Sequence, residues 1–377
     1  MTTRLRVVID QMLGPAPSGV GRYTHELTRQ LIATAPPGCV VEGIVSALPP
    51  EKVQEVETKL PGLGTLHKAA LPRRELMAAW QLGIAPGFSS GMVHATSLMA
   101  PLVRHDREYD GTQIVVTVHD TLAWTHPRSL TPAKVAWQKG MLKRARKHAD
   151  AVVVPSHAVA ERLAEIVDLD DRVRVIGGAA GVNLEVPSDA DRRAAKLKLP
   201  DQYILAVGTL DPRRGITDLI TALGQTGAPD LPLLILGPDN WGEITVAEAA
   251  DDAGLPDGRV RALGFVSEAN LAVVLDRATV FVHPGMHEGF GLPILEAFRF
   301  GVPVVHSDDA ALVEVAGGAG LVVEHGKGYS QRLAATIASV LGDDDLRMRM
   351  SVLGRDREKA FSWRDSAERV WQLHADL

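Results

Sequence analysis

The chain has 377 residues, 46% hydrophobic and 23% charged, with 46 acidic against 40 basic side chains and a net charge of −6. That length fits two domains of ~150 residues each, the composition is that of a folded globular chain, and the acidic balance argues against nucleic acid as a partner. Cys39 is the single cysteine, which excludes an intrachain disulfide and a cysteine-type zinc site and suits a reducing, cytoplasmic setting. The opening MTTRLRVVIDQ runs into a strand pattern without the apolar core of a signal peptide. No apolar run approaches the ~18 residues of a membrane span.

In chain order, RVVID (6–10) reads as the first buried strand. It leads into GPAPSGVGRYTHEL, a glycine-rich turn before a helix on which Tyr23, Leu27 and Leu31 share one face. Backbone amides of Gly19 and Gly21 at a helix start favour an anion, although the same pattern also serves as a plain strand–helix connection. QIVVTVH (113–119) and AVVVP (151–155) are the next strands, and His119 falls just past a strand end beside Asp120. Between them, 134–150 forms a basic helix with Lys139, Lys143, Arg144, Arg146 and Lys147. Such a run is usually a solvated face; it is also the chemistry that meets anionic lipid. His94, His126 and His283 read as structural.

Segment 185–202 is charged, carries Pro187 and Pro200, and reads as a linker. Beyond it come the strands YILAVG (203–208), LLILG (233–237), VFVHP (280–284) and VPVVHS (302–307). Strand–helix alternation implies parallel sheets covered on both faces. The fold expected is therefore α/β: two doubly wound, Rossmann-like domains facing across a cleft. Ligands of such sheets sit beyond the carboxyl ends of the strands.

Two stretches of the second half carry chemistry. TLDPRRG puts Arg213 and Arg214 at the mouth of a strand, where two guanidinium forks suit a diphosphate, although by itself the stretch also reads as a solvated turn with two surface arginines. HEGFGLPILEA puts Glu288 in a loop and Glu296 just inside the following helix, the plainer alternative being a capping Glu288 and a surface Glu296. Gly289, Phe290, Gly291 and Leu292 between them offer backbone amides and a helix dipole, and Pro293 suits the first turn. Ionised carboxylates accept hydrogen bonds from hydroxyls and are poor partners for phosphate. Amides and arginines for phosphate, flanked by carboxylates for hydroxyls, point to a sugar nucleotide. The acidic strings DLDD (168–171), SDDA (307–310) and GDDDL (342–346) read as solvated turns.

These segments resemble the retaining GT-B glycosyltransferases of the large mannosyltransferase-like family, family 4 in type. The resemblance runs nearly end to end: SGVGRYTHEL, VHATSLMAP, VVTVHDTLAWTHP, ADAVVVPSHAVAERL, AVGTLDPRRGI, HEGFGLPILEAFRFGVPVV and FSWRDSAERVWQLH each match one of its segments. It implies a first domain on the acceptor side (1–184), the linker, a donor domain (203–355) and a last segment (356–377) crossing back to the first domain. It implies that Glu288 contacts the donor sugar, Glu296 the ribose, and Arg213 and Arg214 the diphosphate. Gly19, Gly21 and His119 would approach the sugar from the first domain. The family usually has Lys where Arg214 stands and often Asn where Gly215 stands. VIGGAAGVN departs from its more Pro-rich turn before Gly181, Val182 and Asn183, in the region that meets the nucleobase.

The activity so implied moves a hexose from a nucleotide diphosphate sugar, GDP-mannose as first guess, to an acceptor hydroxyl with retention and without a metal or other cofactor. The acceptor would be a glycan, a lipid-linked sugar or a small molecule in cell-surface glycan or glycolipid synthesis. The setting would be the cytoplasm, with peripheral contact at the inner membrane face through 134–150. Two rivals share the donor site: a sugar-nucleotide epimerase, and a nucleotide-sugar-binding protein without turnover. The paired glutamates and the closing FSW segment argue against the first. The intact set of Arg213, Arg214, Glu288 and Glu296 argues against the second.

Overall fold

The computed structural model of the chain describes residues 2–14, 18–85, 87–88 and 90–377. The chain divides into two compact units, 1–178 with 362–377, and 179–361.

The first unit is built on a seven-stranded parallel sheet. In chain order its strands are β1 (Thr3–Val8), β2 (Cys39–Val45), β3 (Leu66–Lys68), β4 (Met92–Ala95), β5 (Gln113–Thr117), β6 (Ala151–Val154) and β7 (Val173–Val175). Their spatial order is β3-β2-β1-β4-β5-β6-β7. The order reverses between β1 and β4, so the chain end of each opens a crevice at that point. Val93, Ile114, Val116, Val152 and Val154 sit in one core cluster with Met141, Leu142 and Ala145 of the helix Pro132–His148.

The second unit holds a six-stranded parallel sheet of β8 (Ile204–Val207), β9 (Leu233–Leu236), β12 (Val260–Gly264), β13 (Val280–His283), β14 (Val304–Ser307) and β15 (Leu321–Val323). A small hairpin, β10 (Asn240–Trp241) with β11 (Ile244–Thr245), interrupts the alternation. The sheet order is β12-β9-β8-β13-β14-β15, and the reversal falls between β8 and β13. Side chains alternate across the sheet with the period of two that a strand imposes. Ile204, Ala206, Val280 and Val282 enter one core cluster, while Leu205, Leu234, Phe281 and Val304 enter the other. Burial on both faces explains why these strands read as unbroken apolar runs.

Two boundaries differ from the sequence reading. The stretch 185–202 contains the helix Ala190–Leu197, and Arg193 of that helix donates to Asn270 Oδ1 at 2.9 Å. It is an element of the second unit, whose core already includes Ala180 and Leu184. At the other end, the helix Asp344–Glu358 belongs to the second unit, and the returning segment is 362–377, carrying the helix Trp363–Asp376. Trp371 Nε1 donates to Leu31 O at 3.2 Å and Ser366 Oγ to Gly177 O at 2.8 Å. Indole and hydroxyl anchors of this kind fix the last helix on the first sheet's covering layer. No described helix is long and apolar enough to cross a membrane.

Candidate active site

The two strands at the reversal of the second sheet carry the segments singled out in the sequence. Past β8, Asp211 caps a short 3-10 turn, Pro212–Arg214. Its buried carboxylate accepts from Arg213 N at 3.3 Å and pairs with Arg213 Nε at 2.7 Å. Past β13, the loop 284–291 leads into the helix Leu292–Arg299. That helix starts from Gly291 at φ 102°, has Pro in its first turn, and has neither a side-chain cap nor an acidic residue there. Its dipole therefore remains available to an anionic ligand.

The two loops are joined directly. Met286 N donates to Arg213 O at 2.7 Å. Gly215 has φ +64°, and a Cβ on it would stand 2.3 Å from Pro284 O. Glycine at this position lets the two loops of this chain approach so closely. Arg214 Nη1 then meets Glu288 Oε1 in an ion pair. Burial pushes the Glu288 carboxyl up, but Arg214, His283 and Arg213 outweigh it and hold the group below its usual range. It is therefore a carboxylate at neutral pH, able only to accept. His283 is lowered by burial, against the pull of Glu288. Glu296 is 2% exposed on the first turns of the helix, so it is no surface residue.

The sites expected in the first unit cluster separately. Ser18 caps the helix Gly19–Ala33 by accepting from Gly21 N at 3.0 Å. A Cβ at Gly21 would meet Gln11 O at 2.9 Å, whereas Gly19 faces open space. Positions 15–17 of the glycine-rich turn lie outside the described residues. Thr24 of that helix bonds Thr96 Oγ1 at 2.8 Å, and Thr96 Oγ1 donates to Val8 O at 2.9 Å. His119 Nε2 donates to Thr96 O at 2.7 Å, and the ring meets Tyr23 edge-on at 4.7 Å. Burial lowers the His119 pKa despite that carbonyl and Asp120, so the ring is neutral with its proton on Nε2.

Some readings need correction. Asp309, in the string taken as a solvated turn, is buried, caps the helix Ala310–Ala316 and accepts from His287 N at 2.8 Å. Asp343 caps the helix Asp344–Glu358. Asp168 does form a turn, accepting from Asp170 N at 3.1 Å. In the basic helix, Arg144 faces inward and donates to Leu102 O, while Lys143, Arg146 and Lys147 are exposed. Near the departure at Gly181 and Val182, Arg299 donates to both carbonyls. The sequence reading missed Asp211, Ser307, Asp309 and Tyr329 as supports of the site. A capping signal (Asp at the start of DPRR and before AALVEVA) was present for the two aspartates. Among the described residues, no three His, Cys, Asp or Glu are arranged to hold a metal ion.

The family described as "Glycosyltransferase Family 4" matches residues 17–184, and "Glycosyl transferases group 1" matches 187–357. An O-antigen chain mannosyltransferase B from Escherichia coli is 28% identical over 370 residues, covering 92% of this chain and 93% of that one. Among solved structures, a sucrose-phosphate synthase from Thermosynechococcus elongatus superposes with a TM-score of 0.73 at 22% identity, over 99% of this chain and 98% of that one. The Anabaena protein HepE in complex with UDP and glucose gives 0.73 at 17% identity over the whole of both chains. With two Rossmann-like sheets and family matches over 17–184 and 187–357, the chain belongs to the GT-B glycosyltransferases of the family 4 type.

Proposed function

We propose that this glycosyltransferase moves a hexose, mannose first, from a nucleotide diphosphate sugar to an acceptor hydroxyl, with retention and without a metal ion. The observation that carries the reading is the meeting of Arg214 and Glu288 at the mouths of β8 and β13. A cation for phosphate and an ionised acceptor for hydroxyls are held at one point, with Arg213 and the Leu292 helix end beside them. The developing charge on the leaving nucleoside diphosphate would be met by Arg213, Arg214 and that helix dipole, fixed in place before reaction. Glu288 would orient the sugar hydroxyls and Glu296 the ribose. The resemblance assigns Gly19, Gly21 and His119 to the sugar as well. Mannose is favoured because the Escherichia coli relative is a mannosyltransferase of an O-antigen chain; the acceptor would by the same analogy be a growing surface glycan or lipid-linked sugar. Exposed Lys143, Arg146 and Lys147 would then face anionic lipid at the cytoplasmic side of the membrane.

Thermal-shift titration with GDP-, UDP-, ADP- and TDP-sugars tests the donor. A ligand at a hundred times its Kd stabilises the native state by about 2.7 kcal/mol, so the true donor should stand out, with GDP-mannose expected to. Transfer assays with that donor should give the same rate with and without EDTA. Loss of turnover on chelation, restored by magnesium or manganese, would refute metal-free transfer.

A further inference from the structure

Four successive residues of the loop that carries Glu288 each have a main-chain group held from behind. Tyr329 Oη donates to Pro284 O at 3.2 Å and Ser307 Oγ donates to Gly285 O. Met286 N donates to Arg213 O at 2.7 Å, and His287 N donates to Asp309 Oδ2 at 2.8 Å. The last bond holds the least comfortable conformation. His287 has φ +62°, a left-handed position that costs a residue with a Cβ about 1–2 kcal/mol. Strain of this kind persists only where surrounding structure imposes it.

Asp309 is placed to impose it. It is 6% exposed, its Oδ1 accepts from Ala311 N at 3.0 Å, and its own amide donates to Ser307 Oγ at 3.4 Å. One carboxylate thus ties the start of the helix Ala310–Ala316 to the main chain of the residue immediately before Glu288. Were His287 to relax to negative φ, the chain direction at Glu288 would turn, and its carboxylate would leave Arg214.

We propose that Asp309 is a positioning residue for glycosyl transfer: it holds His287 in the left-handed conformation and thereby aims Glu288. The proposal rests on the reading of Glu288 as the contact to the donor sugar. On this proposal the effect of Asp309 on turnover runs through Glu288, so that effect should vanish when the Glu288 carboxylate is gone.

The test is a double-mutant cycle. Asp309→Ser keeps an oxygen that can cap the helix but is too short to reach His287 N; Asp309→Asn is the milder variant should the serine form fold poorly. Asp309→Ser should lower kcat by roughly ten- to a hundredfold, as expected of a displaced positioning group, and Asp309→Asn, whose one amide oxygen can still accept from His287 N, by less, each with nucleoside diphosphate affinity nearly unchanged. In a Glu288→Ala background the same substitution should cost nothing further. An equal loss in both backgrounds would overturn the proposal, as would a parallel fall in nucleoside diphosphate affinity. Amide hydrogen exchange of the intact protein separates the two readings. His287 should exchange faster in Asp309→Ser whether or not a donor has been found. If no nucleotide sugar is turned over by the unaltered protein, the functional reading fails while the exchange result still decides the role of Asp309; unchanged exchange at His287 overturns it.

Discussion

Glu288 and Glu296 are eight positions apart in sequence, and the fold gives them different surroundings. Glu288 lies in the loop, ionised against Arg214; Glu296 is buried in the helix. If Glu296 holds the ribose as proposed, that contact is made equally in the ground and transition states, so Glu296→Ala should weaken donor and free nucleoside diphosphate alike. A contact to the transferring sugar matters at turnover, so Glu288→Ala should depress kcat and leave nucleoside diphosphate binding nearly intact. Removal of Glu288 also frees Arg214 from its internal partner, which works further against any loss of diphosphate affinity. A hydrogen bond to a charged group is worth about 1.5–3 kcal/mol, which sets each effect at roughly ten- to a hundredfold. Calorimetry with nucleoside diphosphate beside steady-state kinetics decides the assignment, and the reverse pattern would exchange the two roles. The spacing of these glutamates was legible in the sequence. The roles of Asp211 and Asp309 were not, because an aspartate in a turn reads the same whether solvent or a loop lies over it.

At the level of elements, legibility followed burial. The short apolar runs within β1, β5, β6, β8, β9, β13 and β14 announced themselves. The strands missed were the edge or polar-interrupted ones: β3, β7 and β15 have three residues each, β2 carries Glu42, β4 carries His94 and β12 carries Arg261. Glu42 is tolerated in a strand because Arg4 at 3.3 Å, Arg6 at 3.4 Å and His67 at 2.7 Å surround it. The junction between the β8 and β13 loops is where an element-scale change should be felt. Gly215→Ala adds left-handed strain of about 1–2 kcal/mol and a Cβ against Pro284 O. The melting temperature should drop by roughly 2–8 °C, and nucleoside diphosphate affinity should fall with it as Arg213 and Met286 separate. Full retention of affinity in Gly215→Ala would show that the approach of the loops does not shape the phosphate site.

At the scale of the whole chain, the last helix completes the first unit rather than the second, and its attachment should weaken in acid. His94 on β4 and His374 on the helix Trp363–Asp376 are both buried, with Nδ1 of the first 3.4 Å from Nε2 of the second. His374 Nδ1 donates to Gln113 Oε1 at 3.0 Å, so its Nε2 must accept from His94. A proton added at that nitrogen would set N–H against N–H. Burial lowers the His94 pKa to about 4, and burial with the neighbouring His94 takes His374 well below its usual value. Both folded pKa values lie beneath the unfolded one. Their stabilising contribution is therefore present above pH ~6.5 and is lost as pH falls below it. His105 works with the opposite sign. Asp150 at 2.8 Å raises it, and its contribution is present below pH ~6.5 and fades as pH rises through its folded pKa. Urea unfolding between pH 7 and 5 should show falling stability, with a shallower slope for His94→Asn. Identical slopes would remove this pair as the cause.

The sequence by itself determined the fold class, the paired loops at the mouths of β8 and β13, and the family, because each rests on local information. Hydrophobic period sets strand and helix, and glycine, proline and arginine at fixed offsets set a loop. Tertiary structure alone decided that 185–202 includes a helix of the second unit and that the returning segment begins at 362. It alone made Arg144 an internal tether, Asp309 a buried anchor, and Gly215 the point where two loops touch. Those assignments depend on which distant residue lies opposite. Local pattern is blind to that, since the same side chain is solvated or buried according to what the rest of the chain brings against it.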